Sequence, residues 1–305
     1  MGLISSKGFL SSPRETTLPT STALVVDADP RVDAALRLVL TPEKWKIQHA
    51  PDNRAALAMA QAEPCGLILT SEKTSGSEDV ELLRQIRRVR PHIRLIILAD
   101  ETTPAEVIAS MHEHAFSYFS KPVSCEALVD MVRLAAERPC WDDGIEVLSA
   151  TPAWIRLAAR CELYTAERLI QFIDEIADLP DPEKGDVALA FREILLNAIE
   201  HGGQFDPAEY VEISYVRARH MVICRIKDPG KGFSPDDAGH TARSNPPDAP
   251  LQHAAFREAE GLRPGGYGVL LAEHFLDELI YGEKGNDVLL VKYLKTEPDS
   301  KQQRK

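Results

Sequence analysis

The chain has 305 residues, of which 44% are hydrophobic, and this is enough apolar surface for two ordinary globular cores. Its formal net charge of −12 is not offset by a concentrated basic face, which argues against a nucleic-acid binder. No apolar run approaches the length of a membrane span, and the five scattered cysteines lack the spacing of metal ligands, so we expect a cytoplasmic protein without a membrane partner.

The first half of the chain alternates apolar and amphipathic segments. Residues 1–20 are rich in Ser, Thr and Pro and predict a disordered tail, and residues 21–139 predict one domain. Strands are predicted at residues 23–26, 45–49, 67–69, 95–98 and 118–119, and helices at residues 30–40, 53–62, 79–89, 104–114 and 125–136. This alternation predicts an α/β fold with a doubly wound, five-stranded parallel sheet, whose ligand sites lie at the carboxyl ends of the strands.

Three short motifs give this half a resemblance. They are Val25-Val26-Asp27-Ala28-Asp29-Pro30 after the first strand, Leu82-Leu83-Arg84 in the third helix, and Tyr118 followed by Ser120-Lys121-Pro122. Over residues 22–138 the pattern resembles a response-regulator receiver domain. The resemblance implies a pocket of carboxylates that binds Mg²⁺ and an aspartate that accepts a phosphoryl group.

The sequence departs from that family at the positions that carry the chemistry. Alignment without a gap on the third helix places Ser71 where the family has its phosphoacceptor aspartate, and counting back from Lys121 places Ala99 at the switch hydroxyl. Asp27 is retained, but Ala28 replaces its acidic neighbour.

With a single acid left in the pocket, affinity for a divalent cation should collapse, although Asp29 or Glu72 could replace the missing carboxylate. A serine at position 71 cannot form the acyl phosphate. We therefore expect a pseudoreceiver that is not phosphorylated in the usual way. Its expected role is docking or dimerisation, and the alternative is a scaffold that only stabilises its neighbour.

The second half begins after a segment at residues 140–153 that predicts a linker or strand. Residues 154–296 predict a second domain, and residues 297–305 a tail. Strands are predicted at residues 145–148, 154–157, 211–216 and 221–226, and a helix at residues 166–177.

A helix with a polar stripe is the main feature of this domain. At 100° per residue, one face carries Glu193, Asn197, Glu200 and His201, and the opposite face carries Ala188, Phe191, Leu195 and Ile199. By itself such a stripe is more typical of a solvated helix face.

Two glycine-rich turns follow the helix. Asp228-Pro229-Gly230-Lys231-Gly232 ends a predicted strand, and its carboxylate could accept a hydrogen bond from an exocyclic amine such as that of adenine. Gly265-Gly266-Tyr267-Gly268 opens a helix, whose free N–H groups could bind phosphate oxygens. Each motif alone is also typical of an ordinary turn.

Taken in order, three motifs resemble those of one known domain. They are E-x-x-x-N-x-x-E-H at residues 193–201, D-x-G-x-G at residues 228–232 and G-x-G at residues 266–268. That domain is the α+β sandwich ATPase domain shared by histidine kinases, gyrase and Hsp90-type chaperones, and the anti-sigma-factor serine kinases are the most similar. The resemblance covers residues 154–295 and implies ATP and Mg²⁺ as cofactors. It further implies that Asn197 ligates Mg²⁺, that Asp228 recognises adenine, and that Glu193 acts on the attacking hydroxyl.

The remaining binding residues that the resemblance implies are Gly230, Gly232, Gly266 and Gly268. The loop at residues 234–263, rich in Pro, Asp and Ala, corresponds to the lid over the nucleotide.

These motifs favour an ATP-dependent serine/threonine protein kinase that acts on a small antagonist protein in a partner-switching circuit. The resemblance adds a sigma factor as a possible partner and a homodimer as a possible assembly. The alternative is an ATP-responsive adaptor that sequesters a partner and transfers no phosphate, but retention of Glu193 favours the enzyme. A histidine kinase is disfavoured because residues 123–192 contain no histidine, and a DNA-binding regulator because no helix-turn-helix pattern is present.

Overall fold

The computed structural model describes residues 21–27, 29–70, 75–100, 102–137, 142–177, 179–180, 182–232, 255, 258–259 and 267–294. The two predicted tails lie outside these residues, as do Ala28, Ser71, Glu72 and Gly266, and most of the predicted lid at residues 234–263. None of the helices in the described part of the chain has the length and apolar character that a bilayer crossing requires.

The N-terminal half is a parallel sheet covered by helices on both faces. Its strands are β1 (Ser21–Val26), β2 (Trp45–Ala50), β3 (Leu67–Leu69), β4 (Arg94–Ala99) and β5 (Ser117–Ser120), in the spatial order β2-β1-β3-β4-β5. Its helices are α1 (Pro30–Val39), α2 (Asn53–Ala62), α3 (Gly76–Arg87), α4 (Pro104–His112) and α5 (Cys125–Glu137). Helices α1 and α5 share a core with one face of the sheet, and α2, α3 and α4 pack on the other. The predicted doubly wound sheet is confirmed.

Helix α3 begins three residues earlier than the apolar pattern predicts, because a capping box fixes its start. The Ser75 hydroxyl accepts a hydrogen bond from the Glu78 backbone N–H at 3.3 Å, and the Glu78 carboxylate accepts one from the Ser75 backbone N–H at 3.0 Å. These bonds satisfy two N–H groups that would otherwise lack a partner in the first turn. The apolar period cannot locate such a start, since it records only the buried face.

The C-terminal half is an antiparallel sheet with helices on one face. Its strands are β6 (Ile145–Thr151), β7 (Trp154–Arg160), β8 (Tyr210–Arg217), β9 (Met221–Lys227), β10 (Glu278–Tyr281) and β11 (Asp287–Tyr293), in the order β10-β11-β9-β8-β7-β6. Its helices are α6 (Leu163–Ala177), α7 (Glu183–Asn197) and α8 (Gly268–Phe275). The sheet already begins at Ile145, within the segment predicted as a linker or strand, because β6 pairs with β7. The predicted α+β architecture is confirmed.

Helix α6 joins the two halves by covering β5, the edge strand of the parallel sheet. The guanidinium of Arg168 donates hydrogen bonds to the carbonyl oxygens of Phe116 at 2.8 Å and Ala115 at 3.1 Å, and it lies over the Phe116 ring. The Gln171 amide donates to the carbonyl oxygen of Tyr118 at 3.1 Å. A helix that satisfies these outward-facing carbonyls protects the edge strand from pairing with another chain.

The charge of Arg168 is balanced although its side chain is completely buried. One nitrogen of the guanidinium lies 2.5 Å from a carboxylate oxygen of Asp143, in the segment that leads into β6. Burial raises the pKa of Asp143, but the nearby charge of Arg168 and a hydrogen bond with His114 outweigh burial and hold that pKa below its usual range. The guanidinium that α6 presents to the receiver half is therefore buried and paired, and removal of either partner alone would be costly.

We predict that Arg168→Ala lowers the free energy of unfolding of the full chain by about 3–5 kcal/mol, because Asp143 and the carbonyl oxygens of Ala115 and Phe116 would stay buried without their donor. Urea unfolding followed by circular dichroism measures the loss. Arg133→Ala is the matched control, since Arg133 forms an exposed pair with Asp130 at 2.6 Å. That control should change stability by about 0.5 kcal/mol or less. Equal effects of the two variants would contradict the role given to Arg168.

Candidate functional site

The polar stripe predicted on α7 is present and narrow. On the face opposite the stripe, the side chains of Phe191, Leu195 and Ile199 are buried and that of Ala188 is half-buried. Ile194 and Leu196 are buried as well, which widens the apolar face. The polar stripe comprises Glu193, Asn197 and Glu200, which are half-buried, and His201, which is exposed. A half-buried stripe is less solvated than an ordinary polar helix face, which favours a site.

The end of α7 widens into a π-helical turn, Ala198–Gly202, which brings the chain against the next motif. A Cβ atom placed on Gly202 would lie 2.2 Å from the carboxylate carbon of Asp228, a distance that no real Cβ tolerates. Only glycine can therefore occupy position 202 while the Asp228 side chain keeps its place. Such π turns within helices are frequent at functional sites, and here the turn joins the α7 stripe to Asp228.

The Asp228 carboxylate is held at the end of β9 by its own turn. Its Oδ1 atom accepts a hydrogen bond from the Gly230 backbone N–H at 2.8 Å. Burial raises the pKa of Asp228 above the ordinary value for an aspartate, and the Gly230 bond only partly opposes this. A half-buried carboxylate of this kind can accept a hydrogen bond from an amine with little competition from water.

Asn286, in the turn between β10 and β11, fixes the backbone of the same loop. Its side-chain amide donates to the carbonyl oxygens of Asp228 and Gly230, both at 3.1 Å, and its own carbonyl accepts from the Asp228 N–H at 3.0 Å. Gly232 has a φ of +82°, and a Cβ there would lie 1.7 Å from the carbonyl oxygen of Lys284. The loop after β9 therefore requires glycine at position 232 to pack on this turn.

Glu193 meets the third motif at the start of α8. A Cβ placed on Gly268 would lie 2.5 Å from a carboxylate oxygen of Glu193, so the glutamate packs directly against the helix entrance. Asn197 follows Glu193 by one turn, about 6 Å along the α7 axis. The structure thus brings Glu193 to Gly268, and Asp228 to Gly230, with Asn197 between these contacts on α7. Gly266 lies outside the described residues.

The described residues fit a nucleotide with a divalent cation. At one end of the site, the missing side chain of Gly202 makes room for the half-buried carboxylate of Asp228. At the other end, the carboxylate of Glu193 lies beside the N-terminus of α8. An amide oxygen between the two ends is a ligand that Mg²⁺ accepts together with phosphate oxygens. The arrangement can therefore bind a base, a cation and a phosphate in that order along α7.

Two residues of the site were not assigned a role from the sequence. Gly202 lies within the predicted motif, but its steric role depends on the approach of Asp228, which is distant in sequence. Asn286 lies in a Gly-Asn-Asp turn like that of the ATPase family named above, but the sequence pattern does not show which backbone groups its side-chain amide binds. The signal for both was a small or amide residue at a turn, which is too common to identify a site.

The carboxyl edge of the parallel sheet contains a changed receiver pocket. The Asp29 carboxylate caps α1 and accepts hydrogen bonds from the Arg31 backbone N–H at 2.8 Å and from its guanidinium at 3.1 and 3.3 Å. Burial raises the pKa of Asp29, but the bonds from Arg31 outweigh burial and lower that pKa overall. Both oxygens of Asp29 are thus engaged by Arg31, which makes it a poor replacement for a missing metal ligand.

The other described members of this pocket are Asp27, Ala99 and Lys121. Asp27 follows β1 with a φ of +60°, and the Lys121 N–H donates to the carbonyl oxygen of Ala99 at 2.9 Å. The Lys121 ammonium lies 3.5 Å from the Asp100 carboxylate. Ala99 is buried and supplies no hydroxyl. Ser71, the residue aligned with the phosphoacceptor, lies outside the described residues.

We predict that Gly202→Ala weakens adenine-nucleotide binding at least tenfold, because the new methyl group would displace the Asp228 carboxylate, and a lost charged hydrogen bond is worth roughly 1.5–3 kcal/mol. Fluorescence titration with a labelled nucleotide measures the affinity. Gly185→Ala is the matched control, since Gly185 lies in α7 and a Cβ added there would meet no atom within 4 Å beyond the adjacent backbone of its own helix. The control should bind normally and be slightly more stable. Unchanged affinity in Gly202→Ala would contradict the placement of Asp228 in the site.

We also predict that nucleotide affinity decreases as the solution is acidified. The loss should begin at a higher pH than it would if Asp228 had the pKa of an ordinary aspartate. The pKa of Asp228 is raised by burial, so the carboxylate that accepts the hydrogen bond becomes protonated above the usual value of about 3.9. Calorimetric titration over a pH series, with circular dichroism to show that the fold persists, measures the effect. Asp228→Asn should bind weakly with no such pH dependence. The same pH profile in both proteins would show that another group titrates.

Comparison with known proteins agrees with the two halves of the fold. Residues 23–133 match the family model of the response regulator receiver domain, and residues 157–292 match that of the histidine kinase-like ATPase domain. The chain is 26% identical over 144 residues to the transcriptional regulatory protein GlrR of Escherichia coli (strain K12), which is 46% of this chain and 32% of GlrR. It is 31% identical over 118 residues to the hydrogenase transcriptional regulatory protein HoxA of Cupriavidus necator, which is 38% of this chain and 24% of HoxA.

The chain spans about a third or less of the length of these two relatives. Among solved structures, a response regulator from Thermotoga maritima is 22% identical with a TM-score of 0.34, over 39% of this chain and 100% of that chain. GlrR and HoxA are named as transcriptional regulators, so a serine/threonine kinase activity stays a prediction. The domain recognition from the sequence motifs is confirmed: the chain matches a response regulator receiver domain followed by a histidine kinase-like ATPase domain, and this combination supports a role for ATP binding in signalling.

Proposed function

We propose that the protein is an ATP-dependent serine/threonine protein kinase of the anti-sigma-factor type, which phosphorylates a small antagonist protein in a partner-switching circuit. The observation that carries the proposal is the position of Glu193, a half-buried carboxylate on the same stripe as Asn197 that packs against Gly268 at the entrance of α8. A domain that only senses ATP needs the amide and the glycines, but it has no use for a carboxylate at this position.

Different residues on or near α7 would bind different parts of the nucleotide. Asp228 accepts a hydrogen bond from the exocyclic amine of adenine, and Gly230 and Gly232 let the backbone turn beneath the base. The side-chain oxygen of Asn197 would hold Mg²⁺, and Mg-ATP supplies the phosphoryl group when it is bound. The backbone around Gly266 and Gly268 would bind phosphate oxygens at the helix N-terminus.

Glu193 is the proposed catalytic residue. A carboxylate near the phosphate end of the site can accept the proton of an attacking serine or threonine hydroxyl and hold that hydroxyl in line. Its contact with Gly268 places it at the helix entrance, where phosphate oxygens would bind. A glutamine at position 193 would keep the shape of the side chain but could not take the proton.

We further propose that the receiver domain acts without phosphorylation, as a docking or regulatory module. Two observations support this. Both carboxylate oxygens of Asp29 are engaged by Arg31, and the buried Ala99 stands at the switch position without a hydroxyl. A sigma factor as a second partner and a homodimer as the assembly are expectations that follow from the family resemblance.

We predict that Asn197→Ala abolishes Mg-ATP binding, whereas Glu193→Gln keeps binding within about threefold and lowers phosphoryl transfer by about 10²–10⁴-fold, the usual contribution of a general base. Transfer of labelled γ-phosphate to candidate antagonist proteins measures the activity, and a labelled nucleotide measures binding. Nucleotide affinity that survives Asn197→Ala would refute the site. Binding by the wild type without transfer to any partner would favour the alternative, an ATP-responsive adaptor.

A further inference from the structure

Helix α6 has two polar stripes that face different neighbours. The first stripe faces the receiver domain and consists of Tyr164, Arg168, Gln171 and Glu175, which recur at helical spacing. Tyr164 packs edge-on against the Phe116 ring at 5.8 Å, and the Glu175 carboxylate accepts a hydrogen bond from the Ser120 hydroxyl. These contacts run from Phe116, just before β5, to Ser120 at its end.

The second stripe faces α7 and consists of Glu167 and Asp174, seven residues apart. Glu167 forms a two-bonded ion pair with the Arg192 guanidinium, at 2.7 and 2.8 Å. Asp174 lies 3.3 Å from the Lys184 ammonium, near the other end of α7. Helix α6 is therefore bound to the receiver domain on one side and to α7 on the other.

Arg192 directly precedes Glu193 in the sequence. Its hydrogen bonds with Glu167 raise the pKa of Arg192, and the charge of Glu193 adds to this effect, so the two neighbouring side chains interact electrostatically. Whereas Arg192 binds α6, Glu193 packs against Gly268 of α8. The segment of α7 that carries Glu193 thus lies between one restraint from α6 and another from α8.

We propose that Glu167 and Arg192 are positioning residues for Glu193, and that the receiver domain acts on the ATPase site by holding helix α6. The role of Glu193 in transfer rests on the proposed function, but the mechanical part of the proposal does not. Loss of the receiver contact at Ser120 and loss of the Glu167–Arg192 pair should both loosen the segment of α7 that carries Glu193, because both contacts involve helix α6. No phosphoryl group on the receiver domain is needed for this coupling.

The pair suits a mutational test because it is partly exposed. The side chains of Glu167 and Arg192 are 36% and 40% accessible, and such pairs contribute little to global stability. Their loss should therefore leave the protein folded. The Asp174–Lys184 pair is a matched control, since it joins the same two helices with both side chains 32% accessible, but it lies more than two turns of α7 away from Glu193.

The first readout is backbone hydrogen exchange of the full chain without nucleotide. We expect Glu167→Gln and Arg192→Gln to speed exchange at residues 190–200 by about three- to tenfold, because a local restraint on α7 is lost. Ser120→Ala should act in the same direction through Glu175. Asp174→Asn and Lys184→Gln should speed exchange mainly at residues 183–189. The charge-exchanged double variant, Glu167→Arg with Arg192→Glu, should restore protection.

The second readout is turnover. We expect Glu167→Gln to lower kcat about fivefold to tenfold with KM for ATP within about twofold, since a small misplacement of Glu193 affects transfer more than binding. Unchanged exchange at residues 190–200 in Glu167→Gln, or an equal change there in the control pair, would overturn the proposal. The proposed function fails separately, if the wild type binds no Mg-ATP or transfers no phosphate while the exchange pattern is as expected.

Discussion

The packing of α6 against the edge strand β5 is the interaction on which the arrangement of this protein depends. An edge strand presents carbonyl groups that need partners, and here the Gln171 amide of α6 donates to Tyr118 in the strand, while the Arg168 guanidinium donates to Ala115 and Phe116 just before it. The guanidinium of Arg168 is completely buried, so its charge requires Asp143, which lies in the segment between the two sheets. One buried ion pair therefore fixes the helix, the edge strand and the connecting segment relative to one another.

The same helix also belongs to the core of the ATPase domain. Leu169, Phe172 and Ile173 of α6 are buried in a single apolar cluster that extends from the receiver helices to the antiparallel sheet. A side chain in such a cluster can shift only if its neighbours repack, because protein interiors are as dense as organic crystals. The receiver domain and the ATPase domain are thus in mechanical contact through a helix whose apolar side chains belong to a core shared by both.

Much of the fold could be predicted from the sequence, because strand and helix periods are local properties. The five parallel strands and the stripe of Glu193 and Asn197 are of this kind. The docking of α6 could not be predicted, since Arg168 and Gln171 at helical spacing are equally typical of a solvated face. Their role depends on carbonyl groups about 50 residues earlier in the chain, and the periodicity of α6 contains no information about those groups.

In the candidate site, too, local features could be predicted from the sequence and contacts between distant residues could not. The motifs predicted which segments converge, and the structure brings Asp228 to Gly230 and Glu193 to Gly268. The role of Gly202 could not be read from the sequence, because it arises from the space that a distant carboxylate occupies. The chemical roles of Glu193, Asn197 and Asp228 remain predictions, since geometry locates a carboxylate but does not show what it does.

A receiver domain that is not phosphorylated would still have a physical means of acting on its neighbour. Phosphorylation would change charge at the carboxyl edge of the parallel sheet, where the structure instead places the pair of Asp29 and Arg31 and the buried Ala99. Ser120 lies at that same edge and binds Glu175 of α6, whose raised pKa shows that burial already disfavours its charged form. A binding event at this edge that draws the Ser120 hydroxyl away would remove one donor from the half-buried Glu175 carboxylate and leave it the bond from the Gln171 amide. The free-energy cost of that lost hydrogen bond falls on α6, which also binds the helix that carries Glu193.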